Sequence, residues 1–464
     1  MFIGRKEELR KLKEALEGND YRSVRIYGRR RVGKTELIKR ALRDEKGTLI
    51  HFECKRALAS INLNLLSKQV KEVLKLPEYI RFTSFDELFE AVFQASLKNK
   101  VVFVLDEFSY LPLGLNGVDA SLARVMDRQK SRETKLKIII SGSYIDLRQN
   151  LLSQSSPLHG HFDLIEEIHE FDYYDAAKFF PDYSNEDKFI AYSVFGGLPY
   201  SLSLVSPDKS ILDNIKDLFC VDVSSAILLC QDRVQFEGAK LAPLNSILVA
   251  VASGKHRFSD LVSVFGKAGR PEYALAKGVE RHYLKKTTPI NEEDNKKLTY
   301  YSIDDNLLNF YFRYIFSAGP SSLFLGKDLF FDEIISDDFI KSYLPGRFEK
   351  VSKEFLIRKN RKGQIHPPFL KIGTYSYNNA EKKANFQFDI VTKDKEGYTS
   401  YECKYTKKPI DSSVLSEEEK QSRSAPLPFI RLGYISKSGF ADNLKKNNSY
   451  FYCLDDFYNP NLDE

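Results

Sequence analysis

Two groups of residues in this chain have the types and spacing that chemistry requires. The first is RIYGRRRVGKTEL, residues 25–37, where Gly28, Gly33, Lys34 and Thr35 fit GxxxxGK[ST] between a short β-rich run and a helical pattern. Glycines let such a loop curl until its amides face a β-phosphate at a helix N-terminus, where the helix dipole also favours an anion. The amides in question belong to Gly28, Arg29, Arg30, Arg31, Val32, Gly33, Lys34, Thr35 and Glu36. Lys34 is placed to reach the β/γ oxygens and Thr35 to ligate Mg²⁺. The run VVFVLDEF, residues 101–108, reads as a buried parallel strand ending in two acids. Asp106 is the candidate to hold the magnesium through water, and Glu107 the candidate general base on an attacking water. A third apolar run, KIIISGSY at 137–144, ends in hydroxyls, so Ser141 and Ser143 are candidates to sense a γ-phosphate. The cofactors implied are ATP and Mg²⁺, with catalytic roles on Lys34 and Glu107.

The second group lies in FQFDIVTKDKEGYTSYECKY, residues 386–405. FQFDIV alternates, so Phe386, Phe388 and Ile390 face one way and Gln387 and Asp389 the other; in YECKY the tyrosines and Cys403 share a face opposite Glu402 and Lys404. KDKEG reads as a turn with Gly397 available for a positive φ, and a hairpin folded symmetrically about positions 395 and 396 sets Asp389 against Glu402. Directly opposed residues have β-carbons about 5 Å apart, so two carboxylates converge with the Lys404 ammonium beside them. Like charges that close repel unless a cation sits between them, and Mg²⁺, with oxygen ligands at about 2.1 Å, suits the gap. Glu349, at the edge of the helical run GRFEKVSKEFLI (346–357), could hold a metal-bound water, while Lys404 could orient or deprotonate water or stabilise developing charge. A solvated hairpin face is the competing reading of the same residues. RKNRKGQ at 358–364 adds Arg358, Lys359, Arg361 and Lys362 as phosphate contacts.

These residues need elements to position them. The length of 464 residues suits about three domains, and 42% hydrophobic content gives each a core. Lysine and arginine exceed aspartate and glutamate by 70 to 64, so the net charge of +6 is too mild to imply a polyanion partner by itself. Five scattered cysteines fit reduced thiols, and no apolar run approaches the roughly 20 residues that span a bilayer, so the chain reads as cytoplasmic and free of the membrane. RKEELRKLKEALEG repeats Leu9, Leu12 and Leu16 and stops at Gly18; SFDELFEAVFQASLK starts with a Ser84 cap and Glu87 three residues on. Helices alternating with apolar strands predict a doubly wound parallel sheet with its ligand at the strand C-termini. Residues 245–286 read as three helices broken at Gly254 and at Gly269-Arg270-Pro271, followed by a KLTYYSI strand: a winged helix-turn-helix whose third helix carries Lys277, Arg281, His282, Lys285 and Lys286. LLNFYFRYIFS, 307–317, is aromatic all round and reads as a buried helix, and PFIRLGYIS and SYFYCLDDF complete a small C-terminal α/β sheet.

FIGR at 2–5, GRRRVGKTEL, VLDEF, SGS, SSPLHG at 155–160 and GGLPY at 196–200 together resemble the archaeal-type P-loop ATPases, relatives of the STAND signalling ATPases. The resemblance implies that Gly4 and Arg5 sit near the adenine and that Gly197-Leu198-Pro199 lines the base pocket from a helical subdomain beginning near residue 170. Where that family has an arginine after PLxG, this chain has His161, which leaves Arg124, Arg128 and Arg148 as candidates for an arginine finger. The segment from about 330 to 464 resembles the uncharacterised C-terminal domain often fused to these ATPases, and the restriction-endonuclease-like D…ExK signature. Phe348-Glu349, Asp389 and Glu402-Cys403-Lys404 match, while Gln387 stands where the strand motif has its first acid.

The fold expected is α/β: a P-loop ATPase domain over 1–205, a winged helix-turn-helix over 206–325 and a restriction-endonuclease-like domain over 326–464. The function expected is an ATP-hydrolysing switch coupled to a metal-dependent, DNA-directed, nuclease-like effector. Two alternatives stay open: an ATP-controlled DNA-binding regulator with an inactive nuclease-like domain, and an ATPase that assembles protein partners without nucleic acid. ATP and DNA are the partners implied, and the sequence leaves oligomerisation open.

Overall fold

A computed structural model of the chain describes residues 2–111, 117–130, 134–143, 156–235, 241–265, 271–292, 295, 298–319, 324–379, 384–442, 444 and 449–463. It divides into two compact units, residues 1–170 and 171–463. The first is built on five parallel strands in the order β2-β3-β4-β1-β5: β1 Arg22–Gly28, β2 Thr48–Glu53, β3 Val101–Asp106, β4 Leu136–Ser143 and β5 Leu164–Ile168. All six residues of β3 are buried, as a central parallel strand covered on both faces requires. The helix Lys6–Leu16 buries Leu12 and Leu16, and the helix Phe85–Lys98 opens with Ser84 accepting from the Glu87 N–H at 3.3 Å. Because β4 lies between β1 and β3, the end of β4 stands between the loop after β1 and the acids after β3.

The second unit begins with helices. Leu241–Ala252, Phe258–Phe265 and Glu272–Glu280 precede an antiparallel hairpin of β6 (Leu284–Thr287) and β7 (Tyr300–Ile303). The third helix therefore ends earlier than the charge pattern suggests. Of its five expected basic residues only Lys277 is helical, and it pairs with Glu280 at 2.7 Å. Arg281 and His282 form the exit turn, His282 at φ 57, and Lys285 and Lys286 are on β6. The Gly269-Arg270 half of the expected turn lies outside the described residues. Residues 306–318 are helical with a π turn at Tyr311–Ile315, and most of the aromatic rings there are buried.

The helix Leu344–Arg361 then leads into a sheet of order β12-β11-β10-β9-β8, comprising β8 Lys371–Asn379, β9 Ala384–Lys393, β10 Tyr398–Lys404, β11 Phe429–Ser436 and β12 Tyr450–Cys453. Strand β8 is an addition to what the sequence predicts. The β9–β10 ladder places Tyr398 opposite Lys393 and Tyr401 opposite Ile390, which is the symmetric register expected. The Asp394 side chain fixes the turn by accepting from the N–H groups of Glu396 (2.7 Å) and Gly397 (3.1 Å). Among the described residues no helix is long and apolar enough to cross a membrane.

Candidate functional sites

The loop between β1 and the helix Lys34–Leu42 packs so tightly that a Cβ on Gly28 would stand 2.3 Å from the Ile168 carbonyl oxygen. Gly33, at φ 96, caps the helix in a conformation open to glycine. The Lys34 ammonium is buried under the loop, donating to the carbonyls of Gly28 and Arg29 at 3.1 Å each, and it stands 3.9 Å from Glu107. Thr35 Oγ1 donates to Asp106 Oδ2 at 2.7 Å, while the Ser141 hydroxyl donates to Asp106 Oδ1, which also receives the Glu107 N–H at 3.1 Å. Burial pushes the Asp106 carboxyl up, but His51, Ser141 and Thr35 outweigh it and hold it at about 2. His51, whose Nε2 lies 3.8 Å from Asp106, has no motif to announce it; its only signal is its place on β2, the strand beside β3. Glu107 sits at φ 54, a left-handed conformation that a non-glycine residue adopts only when its surroundings enforce it.

The remaining residues expected near the nucleotide fall in several places. Arg5, at φ 61 after Gly4 at φ 64, donates to the backbone carbonyls of Val32 and His169, bracing the loop from behind. Arg29 pairs with Glu170 at 3.0 Å; Arg30, Arg31 and Glu36 are exposed, Glu36 against Lys39. Ser143 ends β4 opposite Gly28. Arg124 and Arg128 pair with Asp86 and Glu90 of the neighbouring helix, both at 2.6 Å, and His161 pairs with Asp127 at 2.9 Å. Arg148 lies outside the described residues. In the second unit Pro199 starts a short helix, and Gly197 is backbone packing: a Cβ there would stand 1.8 Å from the Phe171 carbonyl oxygen.

The second site is a cluster of carboxyls. Beyond the Tyr401–Ile390 pair, Asp389 Oδ2 accepts from the Cys403 N–H at 3.0 Å, and the Lys404 ammonium contacts Glu402 Oε1. Burial foremost, then the charges of Glu349 and Glu402, push the Asp389 carboxyl far up; burial and Glu402 do the same to Glu349. Burial works against the Lys404 charge, but Glu402 reverses it and raises the ammonium. A fourth acid, Glu418, comes from the helix Ser412–Ser424 and is pushed up by burial and by Glu402. The sequence reading missed it, and the acidic run SEEEK at 416–420 was its only signal. Among the described residues no three His, Cys, Asp or Glu side chains stand in ready coordinating geometry. Cys403 N–H and Lys404 occupy Asp389 and Glu402 instead.

The phosphate contacts expected from RKNRKGQ are partly corrected. Arg358 is buried, pairs with Asp172 at 2.5 Å and donates to the Leu462 carbonyl at 2.7 Å, so it is internal architecture. Lys359 bonds Gln364 at 3.1 Å, and Arg361 and Lys362 are exposed.

A parallel sheet whose first strand runs through a glycine-rich loop into a helix N-terminus beside a buried aspartate defines a P-loop ATPase. Residues 2–205 match the family described as "ATPase domain predominantly from Archaea", and residues 311–422 that described as "Archaea bacterial proteins of unknown function". The chain is 32% identical over 384 residues to "Uncharacterized protein MJECL04" of Methanocaldococcus jannaschii, covering 82% of this chain and 83% of that protein. It belongs to the same family, as an archaeal-type ATPase with a C-terminal domain of unknown function. "Uncharacterized ATP-binding protein MJ0423" of the same organism is 50% identical over 46 residues, 10% of this chain and 78% of that one. Among solved structures, the walker-type ATPase PABY2304 of Pyrococcus abyssi is similar at 21% identity, covering 67% of this chain and 96% of that one with a TM-score of 0.48.

Proposed function

We propose that this ATPase is a nucleotide-driven switch whose C-terminal domain is a metal-dependent, nuclease-type effector acting on DNA. In the nucleotide site the amides from Gly28 to Glu36 bind phosphates, Lys34 neutralises the β/γ oxygens, and Glu107 orients the attacking water as general base. Thr35 and Asp106, already 2.7 Å apart and with the aspartate held ionised, fit the hard-cation site of Mg²⁺, which when bound neutralises phosphate charge. Ser141, bonded to Asp106 at the end of β4, reports phosphate state to β3. Gly4 and Arg5 keep their proposed place near the base. The division into 1–205, a winged helix-turn-helix over 206–325 and 326–464 belongs to this reading; three helices followed by a hairpin support its middle part.

The observation that carries the effector half is the gathering of Glu349, Asp389 and Glu402, with Glu349 and Asp389 lining one cavity, Glu349 and Glu402 raising the Asp389 carboxyl, and Glu402 raising that of Glu349. Buried carboxyls that raise one another are relieved by protons or by a cation, and this donor set of oxygens suits Mg²⁺ or Mn²⁺. Asp389 and Glu402 would hold such a cation, whose chemistry when bound would be to polarise a scissile phosphate; Glu349 would hold water at its edge, and Lys404, released from Glu402, would orient that water or meet the developing charge. The test is nicking of supercoiled plasmid with Mg²⁺ or Mn²⁺, with and without a non-hydrolysable ATP analogue. Nicking lost in Glu402→Ala supports the reading. Tight, salt-dependent DNA binding without nicking under any metal or nucleotide would leave the regulator, and absence of DNA binding would leave the protein-assembling ATPase.

A further inference from the structure

In the second unit a cavity of about 310 Å³ opens between the β6–β7 hairpin, the helix Leu344–Arg361 and the strands β8 and β9. Glu349 and Asp389 are among the residues lining it. Cations line it too, Lys285 from β6 and Arg347, Lys350 and Lys353 from the helix. Steps of three residues put those helical cations on one stripe. Asp304, also in the lining, lies 3.9 Å from Lys285 and 3.6 Å from Lys350. Lys353, half-buried, has no carboxylate within 4 Å among the described residues. Burial foremost, then the nearby Lys285, push its ammonium down to about 8 against the opposing Asp304, so the cavity holds a cation that a bound anion would stabilise. Strand alternation aims Lys285 and Thr287 at the lining and leaves Lys286 off it. Tyr300, paired with Thr287, adds a ring to the wall, with Arg257 5.6 Å from its centroid.

We propose that this cavity binds the backbone of one nucleic-acid strand, Lys285 and Lys353 gripping a phosphate next to the one offered to Glu349 and Asp389, with Tyr300 meeting a base. Cations tracking phosphates beside an aromatic ring are the grammar of single-strand sites. A volume at the bottom of the range for ligand pockets, about 300–1,000 Å³, admits a nucleotide-sized piece of strand and excludes a duplex. The hairpin thus feeds the acid site rather than reading a duplex groove through the preceding helix. The role of the acids rests on the nuclease-type reading, whereas binding by the cations needs no cleavage.

The test is fluorescence anisotropy of the full chain in EDTA with a labelled single-stranded oligonucleotide, its blunt duplex and, as competitors, inorganic phosphate and AMP. The single strand should bind at least about 10-fold tighter than the duplex, as one or two stacked bases would give. Lys285→Glu with Lys353→Met should cost about 10-fold or more and flatten the salt slope by about 0.7, one phosphate no longer neutralised. Lys286→Glu, off the lining, should cost less than about 2-fold by contrast. Lys285→Glu alone, at an exposed position, serves if the double variant melts early. Duplex binding as tight as single-strand binding, Lys286→Glu as damaging as the cavity variants, or displacement of the oligonucleotide by equimolar phosphate or AMP would each overturn the proposal. Single-strand binding that is lost with Lys285 and Lys353 in a protein that never nicks keeps this cavity and removes the nuclease; nicking indifferent to Lys285 and Lys353 does the reverse.

Discussion

The two acidic sites solve opposite electrostatic problems. At the end of β3 one aspartate is surrounded by donors and held at about 2, so its charge is satisfied by the protein's own threonine, serine and histidine. Across β9, β10 and two helices, Glu402 presses on the carboxyls of Glu349, Asp389 and Glu418 and Glu349 on that of Asp389, with one N–H on Asp389 and one ammonium on Glu402. The first arrangement is built to stay as it is while a ligand arrives. The second carries a repulsion that only a proton or a cation removes. A site with its charge already balanced reads as precise positioning, and a site with charge in excess reads as binding still to come.

The widest separation between them is functional. Lys34→Ala removes the cation that the phosphate loop is folded around and should lower ATP hydrolysis by about 10²-fold or more, with the melting midpoint little changed. Phosphate release measured beside thermal melting checks both. If hydrolysis falls only with a matching loss of folded protein, the lysine is a packing residue and the contrast fails on that side.

Next in size is the acid cluster itself. Asp389→Asn deletes one of the mutually repelling charges and should stabilise the metal-free protein at pH 8 by about 1–3 kcal/mol, at about 1.4 kcal/mol per pKa unit relieved. The same substitution should abolish the rise in melting temperature that Mg²⁺ or Mn²⁺ gives the wild type, since a ligand that binds only the folded state stabilises it by mass action. Calorimetry with EDTA and with metal reads both. A destabilised Asp389→Asn protein that still responds to metal would show that the carboxyl holds the hairpin through Cys403 and nothing more.

A third prediction separates burial from function. Glu354, one turn beyond Glu349, accepts from the Tyr192 hydroxyl at 2.9 Å and is raised to about 7 by burial, with Asp172 and Asp304 adding to that and Lys350 and Tyr192 opposing it. Its folded-state pKa lies above its ordinary value of 4.5, so the folded protein binds that proton more tightly. The stability this contributes is present below about pH 4.5 and lost as pH rises to about 7. Glu354→Gln keeps an acceptor for Tyr192 and should gain about 1–3 kcal/mol over wild type at pH 8 and little at pH 4.5. Denaturant melts at the two pH values check the sign, and metal response should be unchanged, in contrast to Asp389→Asn.

What the sequence made legible follows from where the determinants lie. The phosphate loop, the β3 acids and the β9–β10 register are local: glycine spacing, an all-apolar run and a turn with Asp394 and Gly397 fix them within a few residues. His51 and Glu418 were not legible because each joins its site through strand neighbours or a packed helix far away in the chain. Arg358 misled for the same reason. In RKNRKGQ it looks like one more surface cation, and only the partners Asp172 and Leu462, 186 and 104 residues away, make it a buried strut. Lys285 misled by one element, since a charge stripe continues across the helix end at Glu280 while the backbone turns into a strand.

The smallest expected effect bears on the arginines of the nucleotide unit. Arg124 and Arg128 each hold an acid on the helix Phe85–Lys98 at 2.6 Å, with side chains about half exposed. Exposed pairs of this kind contribute about 0–1 kcal/mol, so Arg124→Ala or Arg128→Ala should shift the melting midpoint slightly. Because the carboxylates of Asp86 and Glu90 already engage these guanidinium groups, neither is free to reach a γ-phosphate of its own chain without breaking its pair. Hydrolysis by either variant at low protein concentration should therefore stay within about 2-fold of wild type, where loss of a finger costs about 10³-fold or more. Repeating the assay at rising protein concentration sharpens the point. A deficit that emerges only as chains associate would mean that the pair opens to serve a neighbour's nucleotide, and the balanced charge of the first site would then be balanced for one chain alone.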